Sequence, residues 1–290
     1  MITEIKNEYL SVKISKKGAE LQSVKMAGRE YLWQADPAFW AKRAPVLFPV
    51  IARNLRNEIS VDGVTYPMQK HGLAKDAVFK IENISENSVT LLFSSDEETK
   101  KSYPFDFNFR VTYSVSGKKL TQSYEIENTG DKELYYSVGA HPALSVGGHL
   151  SDWEVEFEIE EDLISIDLDE NGLIDPRNTF PVTLENRVLK LNRFKDEFLK
   201  KDTLTFERIK NKKATLYGKG REHGIIICFD DFPSFAIWTH ETRDADYVCL
   251  EPWQGMGQRT GETTSLENRF DIVTLPQGKT DKKSLSMELF

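Results

Sequence analysis

Apolar and polar positions alternate along most of this chain with a period of two. From Phe107 to Val115 the odd positions are Phe, Phe, Val, Tyr and Val, and the residues between them are Asn, Arg, Thr and Ser. Side chains alternate across a strand, so this segment presents one face to a core and one to water. Gly117-Lys118 turns the chain, and Leu120 to Asn128 resumes the alternation with Tyr124 and Ile126 on the apolar face; an antiparallel hairpin is predicted. Trp153, Val155, Phe157 and Ile159 alternate with four glutamates. Ile59-Ser60-Val61 and Val64-Thr65-Tyr66 flank Asp62-Gly63, a tight-turn pair. Residues 77–84 and 89–93 flank Ser85-Glu86-Asn87, while 225–229, 235–239 and 247–250 read as short buried strands. Helical signals are confined to single turns, at Asp36-Pro37 with Asp36 as the cap and at 96–101. Many short strands with turn residues between them predict an all-β protein, a large antiparallel β-sandwich. With no composition break or linker, residues 1–290 are expected to form a single domain.

Composition narrows the partners. A net charge of −8, spread along the chain without a basic stripe, argues against nucleic acid and against an anionic membrane surface. The first ten residues carry Glu4, Lys6 and Glu8 and lack the apolar core of a signal peptide, and no stretch reaches the roughly 18 apolar residues that span a bilayer. The cytoplasm is the expected compartment. Cys228 and Cys249 lie in apolar runs and read as two buried free thiols.

Polar residues that break an apolar strand are the candidates for chemistry. His71, before Gly72, sits at the end of a hairpin strand. His141 lies in Gly139-Ala140-His141-Pro142-Ala143, where small residues allow another group to approach. Taken alone His71 reads better as an ordinary loop histidine, whereas His141 reads equally as a strand-end histidine bonded to backbone or as a group aimed into a cleft. Glu251 follows an apolar strand in Leu250-Glu251-Pro252-Trp253. It is either a solvated strand end or a carboxylate held in a cleft, where burial disfavours its charge and strengthens it as a base. Arg53 ends an apolar stretch as a solvated residue or as a fork of donors turned inward. Trp33, Trp40, Phe232, Trp238 and Trp253 are core or sugar-stacking aromatics, and His240 is a candidate rim residue. Three histidines and a glutamate also suit a metal site of cupin type, but no two share a close ligand spacing.

Phe48-Pro49 with Arg53-Asn54, His71-Gly72, Gly139-Ala140-His141-Pro142-Ala143 and Leu250-Glu251-Pro252-Trp253, in this order, resemble the aldose 1-epimerase (mutarotase) family, and most nearly its LacX-like branch from bacterial galactose and lactose gene clusters. Tyr103-Pro104-Phe105 before a long alternating strand resembles that branch too. The resemblance runs over nearly the whole chain. It implies a galactose-mutarotase-like sandwich, a glutamate base at Glu251, a histidine acid at His141, and sugar contacts from His71 and Arg53. A family aspartate that holds sugar hydroxyls falls on Asp202, and Trp253 is expected to wall the pocket. The family's usual glycine before the arginine is Ala52 here.

The resemblance therefore implies a cofactor-independent isomerase acting on a small-molecule sugar, with no metal, because ring opening and closure move protons only. The oligomeric state stays open. Three other readings are a noncatalytic sugar-binding protein on the same fold, a hexose-6-phosphate 1-epimerase using Arg53, Arg56, Lys70 and Lys75, and a metal-dependent cupin-like enzyme.

Overall fold

The computed structural model describes residues 1–191, 203–240 and 246–290. Two antiparallel sheets dominate it. The larger runs in the order Val188–Lys190, Trp153–Phe157, Lys213–Gly218, Gly224–Cys228, Thr280–Leu289, Lys119–Asn128, Phe107–Ser116, Ser88–Ser94, Lys80–Ile84. The predicted hairpin lies inside it, with Phe107 opposite Asn128 and Val111 opposite Tyr124. Its burial alternates as the sequence does, Phe107, Phe109, Val111, Tyr113 and Val115 facing inward. Asp62 and Gly63, both at positive φ (52° and 78°), turn the smaller hairpin Glu58–Val61 to Val64–Pro67, as a tight two-residue loop requires.

The second sheet runs Thr203–Phe206, Ser234–Trp238, Tyr247–Gln254, Val138–Ala140, Val46–Leu47, with Ala143–Ser145 also paired to Tyr247–Gln254. It packs on the larger sheet through aromatic contacts: Phe48 stacks on Phe109 at 4.5 Å, and Phe157 meets Phe235 at 6.3 Å. Together they form the all-β sandwich predicted from the alternation. Glu97–Lys100 is a single helical turn capped by Asp96. The other predicted turn closes at Asp36, whose carbonyl accepts from Phe39 and Trp40 without a helix following. No described helix is long and apolar enough to cross a membrane.

Tyr247–Gln254 is the pivot of the second sheet. It is buried on both faces over Tyr247 to Trp253. Val248 and Leu250 join the core between the sheets, while Tyr247, Cys249, Glu251 and Trp253 turn the other way. On that second face Glu251 and Trp253 line a cavity.

Candidate active site

The strand Tyr247–Gln254 pairs with Val138–Ala140 at one end and with Ala143–Ser145 at the other. Gly139 stands opposite Trp253 and Ala143 opposite Cys249, so both stretches keep one register and His141 falls across from Glu251. The pairing lapses at His141-Pro142, where proline has no N–H for the ladder. The imidazole then leans over the strand: His141 Nε2 lies 3.4 Å from Glu251 Oε1. Both side chains are almost fully buried, at 7% and 2% exposure, yet both line one open cavity of about 640 Å³. Gly139 permits this closeness, since a Cβ there would stand 2.7 Å from Trp253 Cδ1.

His71 arrives from the opposite wall. Its ring meets that of His141 edge-on at 5.5 Å. The main chain holds it in a left-handed conformation, φ 66°, between two bonds: the N–H of His71 donates to Ala52 O (2.9 Å) and the N–H of Ala52 donates to His71 Nδ1 (3.2 Å). Nδ1 is therefore an acceptor and Nε2 carries the proton. Gly72 is required next, because a Cβ would come within 2.3 Å of Phe48 O. Ala52 itself adopts φ 55°, a left-handed conformation that glycine enters at no steric cost, which suits the glycine usual at this position of the motif.

Burial pushes the His141 imidazole down to about 3, and the positive charge of Lys70 acts in the same direction. His71 is held well below its ordinary value by burial, then by His141, Lys70 and Lys75. Both rings are neutral near pH 7 unless a negative partner intervenes. Trp40 stacks on His141 at 5.0 Å and Trp238 meets it edge-on at 5.6 Å, fixing the ring's plane. Trp253 Nε1 and Thr205 Oγ1 line the cavity and are buried without a hydrogen-bond partner. Arg53 is exposed at the rim, its stem over Gly172, where an added Cβ would be 3.5 Å from Cδ and Nε.

The cavity thus gathers Glu251, His141, His71, Arg53 and Trp253, five of the six residues predicted from sequence. Asp202 lies outside the described residues; its neighbours Thr203 and Thr205 do line the cavity. Phe232 is not a sugar-stacking residue but core, edge-on to Tyr124. Trp33 packs on Tyr247, and His240 on Phe39. Arg56 pairs with Glu58 away from the cavity.

Cys249 is more than the buried thiol its apolar run suggests. It lies two residues before Glu251, hence on the same strand face, and that spacing is the signal in the sequence. Among the described residues, His141, Cys249 and Glu251 are the group able to hold a metal ion, their donor atoms all within 4.8 Å of one another. Burial and the Glu251 charge push the Cys249 thiol well up, so it stays protonated.

A family model described as aldose 1-epimerase matches residues 1–284. The plasmid-borne protein LacX of Lactococcus lactis subsp. lactis is 32% identical over 302 aligned positions, covering 100% of this chain and 99% of the relative. A galactose mutarotase related enzyme from Lactobacillus acidophilus superposes with a TM-score of 0.94 at 31% identity, covering 100% of this chain and 97% of its own. A galactose mutarotase-like protein from Lactobacillus casei ATCC 334 superposes at 0.88 and 28%, with 100% of both chains covered.

Proposed function

The chain belongs to the aldose 1-epimerase family, and from that premise we propose that it interconverts the α and β anomers of a hexose by acid–base ring opening. The observation that carries the reading is the Glu251–His141 pair, 3.4 Å apart and facing one cavity. Glu251 takes the proton of the C1 hydroxyl. His141, as imidazolium, gives a proton to the ring oxygen, and the C1–O5 bond breaks. The aldehyde turns about C1–C2. On closure O5 attacks the other face of C1, its proton returns to His141, and Glu251 returns its proton to the C1 oxygen. The pair ends as it began.

Burial opposes the imidazolium. The ionised carboxylate of Glu251 opposite is the counter-charge that makes it accessible. Neutral His71 donates from Nε2 to a sugar hydroxyl, and Arg53, Thr205 and Trp253 supply further polar contacts that hold the ring in one pose. On this reading the whole chain works as one catalytic unit.

The test is anomerisation of freshly dissolved α-glucose and α-galactose, followed by polarimetry or NMR. Equilibration faster than the spontaneous rate is expected, unchanged by a chelator. Binding without acceleration would make the protein a sugar carrier or sensor. Activity abolished by chelation and restored by a divalent cation would turn His141, Cys249 and Glu251 into a metal site and remove the proton-shuttle assignment.

A further inference from the structure

The mutarotase reading gives Glu251 and His141 to proton transfer and leaves Cys249 without a task. Cys249 is fully buried, and it faces the same side of its strand as Glu251 two residues on. Its register partner is Ala143, while His141 falls across from Glu251. One thiol, one imidazole and one carboxylate therefore converge from two neighbouring stretches of chain, with donor atoms all within 4.8 Å of one another. Glu251 and His141 line the cavity, and Cys249 closes the group from the protein side.

The spacing suits a coordination shell. Zinc held by nitrogen and oxygen at about 2.0–2.2 Å sets those ligands about 3.3–3.6 Å apart along a tetrahedral edge. His141 Nε2 stands 3.4 Å from Glu251 Oε1. A Zn–S bond of about 2.3 Å asks for about 3.6 Å from sulfur to the other two donors, within a side-chain rotation of the present spacing. Trp40 and Trp238 already fix the plane of the imidazole, so little freedom is lost in holding an ion. Thiolate and carboxylate together cancel the charge of a divalent cation, which leaves the buried group neutral once occupied. Three protein ligands keep the fourth position open towards the cavity. Sulfur and imidazole favour zinc, whereas magnesium and calcium take oxygen ligands.

We propose that His141, Cys249 and Glu251 form an inhibitory site for zinc or a cation of its class. The inference rests on the mutarotase reading for its consequence, but not for its geometry. On binding, the Cys249 thiol gives its proton to solvent, the imidazole binds neutral through a lone pair, and Glu251 binds as the carboxylate. The acid then has no proton to give, and the charge of the base is committed to the ion. One cation thereby silences both halves of the reaction. A catalytic metal has the opposite sign: a chelator abolishes activity that depends on a metal and restores activity that a metal blocks.

The experiment starts from the full chain stripped with a chelator and dialysed. Zinc chloride is titrated into the anomerisation assay of α-glucose and α-galactose, with magnesium chloride as the control. Zinc is expected to suppress the acceleration by about a hundredfold or more, the contribution of a positioned acid or base. Half-inhibition should fall at about micromolar zinc or below. Excess chelator should restore the rate, and magnesium should leave it alone. Cys249→Ser and Cys249→Ala should each raise the half-inhibitory zinc concentration by about tenfold or more, since even the outer partners of a metal ligand are worth about 10–100-fold in affinity. Their rates without zinc report that they fold. Cobalt(II) chloride supplies a readout that needs no activity: a thiolate-to-cobalt absorption band, present in the wild type and absent from both variants. The wild-type band decides the site even without the variants. Absence of zinc inhibition, inhibition equalled by magnesium or unchanged in the folded Cys249 variants, or cobalt binding without the thiolate band overturns the proposal and leaves the mutarotase reading intact. A thiolate band in a stripped protein that accelerates no sugar keeps the cation site, and brings down the mutarotase reading and the inhibitory role with it.

Discussion

Two clusters of buried polar groups in this protein are built on opposite plans. Between the sheets, the Gln122 amide donates to the hydroxyls of Tyr113 (2.9 Å) and Tyr124 (2.8 Å), which donate onward to the carbonyls of Ala19 (2.8 Å) and Gly139 (3.2 Å). Every step ends on protein. On the far face of the second sheet, the Thr205 hydroxyl and the Trp253 indole N–H end on no protein group, beside an imidazole that burial holds neutral. A closed network stabilises one packing and specifies it. An open set of buried donors and acceptors costs stability and has its compensation in what binds. The contrast separates scaffold from site more sharply than burial does, since both clusters are buried.

The contrast can be broken by mutation. Glu251→Gln keeps the volume and removes the base; kcat/KM for anomerisation should fall by roughly 10²–10⁴-fold with little change in melting temperature, and a variant that keeps near-normal mutarotation would end the assignment. Tyr113→Phe opens the closed network at Ala19 and Gln122. It should lower unfolding free energy by about 1–3 kcal/mol in a denaturant titration, with kcat unchanged.

Next in size is a pH effect. The unfolded His141 protonates near 6.5 and the folded one only near 3. The unfolded state therefore binds the extra proton throughout that window, and wild-type stability drops as pH falls through it. His141→Asn abolishes this component, so the variant should gain on wild type by up to about 2 kcal/mol on going from pH 7 to pH 5. A constant difference across pH would mean that burial does not depress the folded imidazole below its ordinary range. The smallest effect belongs to Thr205→Val, which removes a hydroxyl without a protein partner. KM should rise roughly threefold to tenfold while thermal stability holds or improves.

The sandwich is legible in the sequence because period-two alternation is a local signal, and hairpins such as 107–128 bring their partners together within a few residues. The proposed acid–base pair is legible because His141 and Glu251 are polar residues interrupting apolar strands, flanked by proline at 142 and 252. Cationic Lys42 is not legible: nothing in Ala41-Lys42-Arg43 says which side chain turns into the cavity. The stacking of Trp40 on His141 is hidden for the same reason, because a residue in a turn has no face until the fold supplies one. Its aromatic ring suits a sugar as well as a core; the stack it makes here is with the imidazole.

Because the pairs on either side of His141 and Glu251 keep one antiparallel register, the two are held opposite each other by the flanking rungs of a β-sheet, set by backbone geometry that changes little from sequence to sequence. Other parts of the cavity lining, around Trp40 and from Asp169 to Gly172, are connections between strands. Such connections diverge and tolerate insertions far more readily than the strands they join. A designer wishing to retarget the protein to another sugar has a natural division of labour to exploit: exchange these connections wholesale, leave the rungs alone, and the reaction centre keeps its alignment.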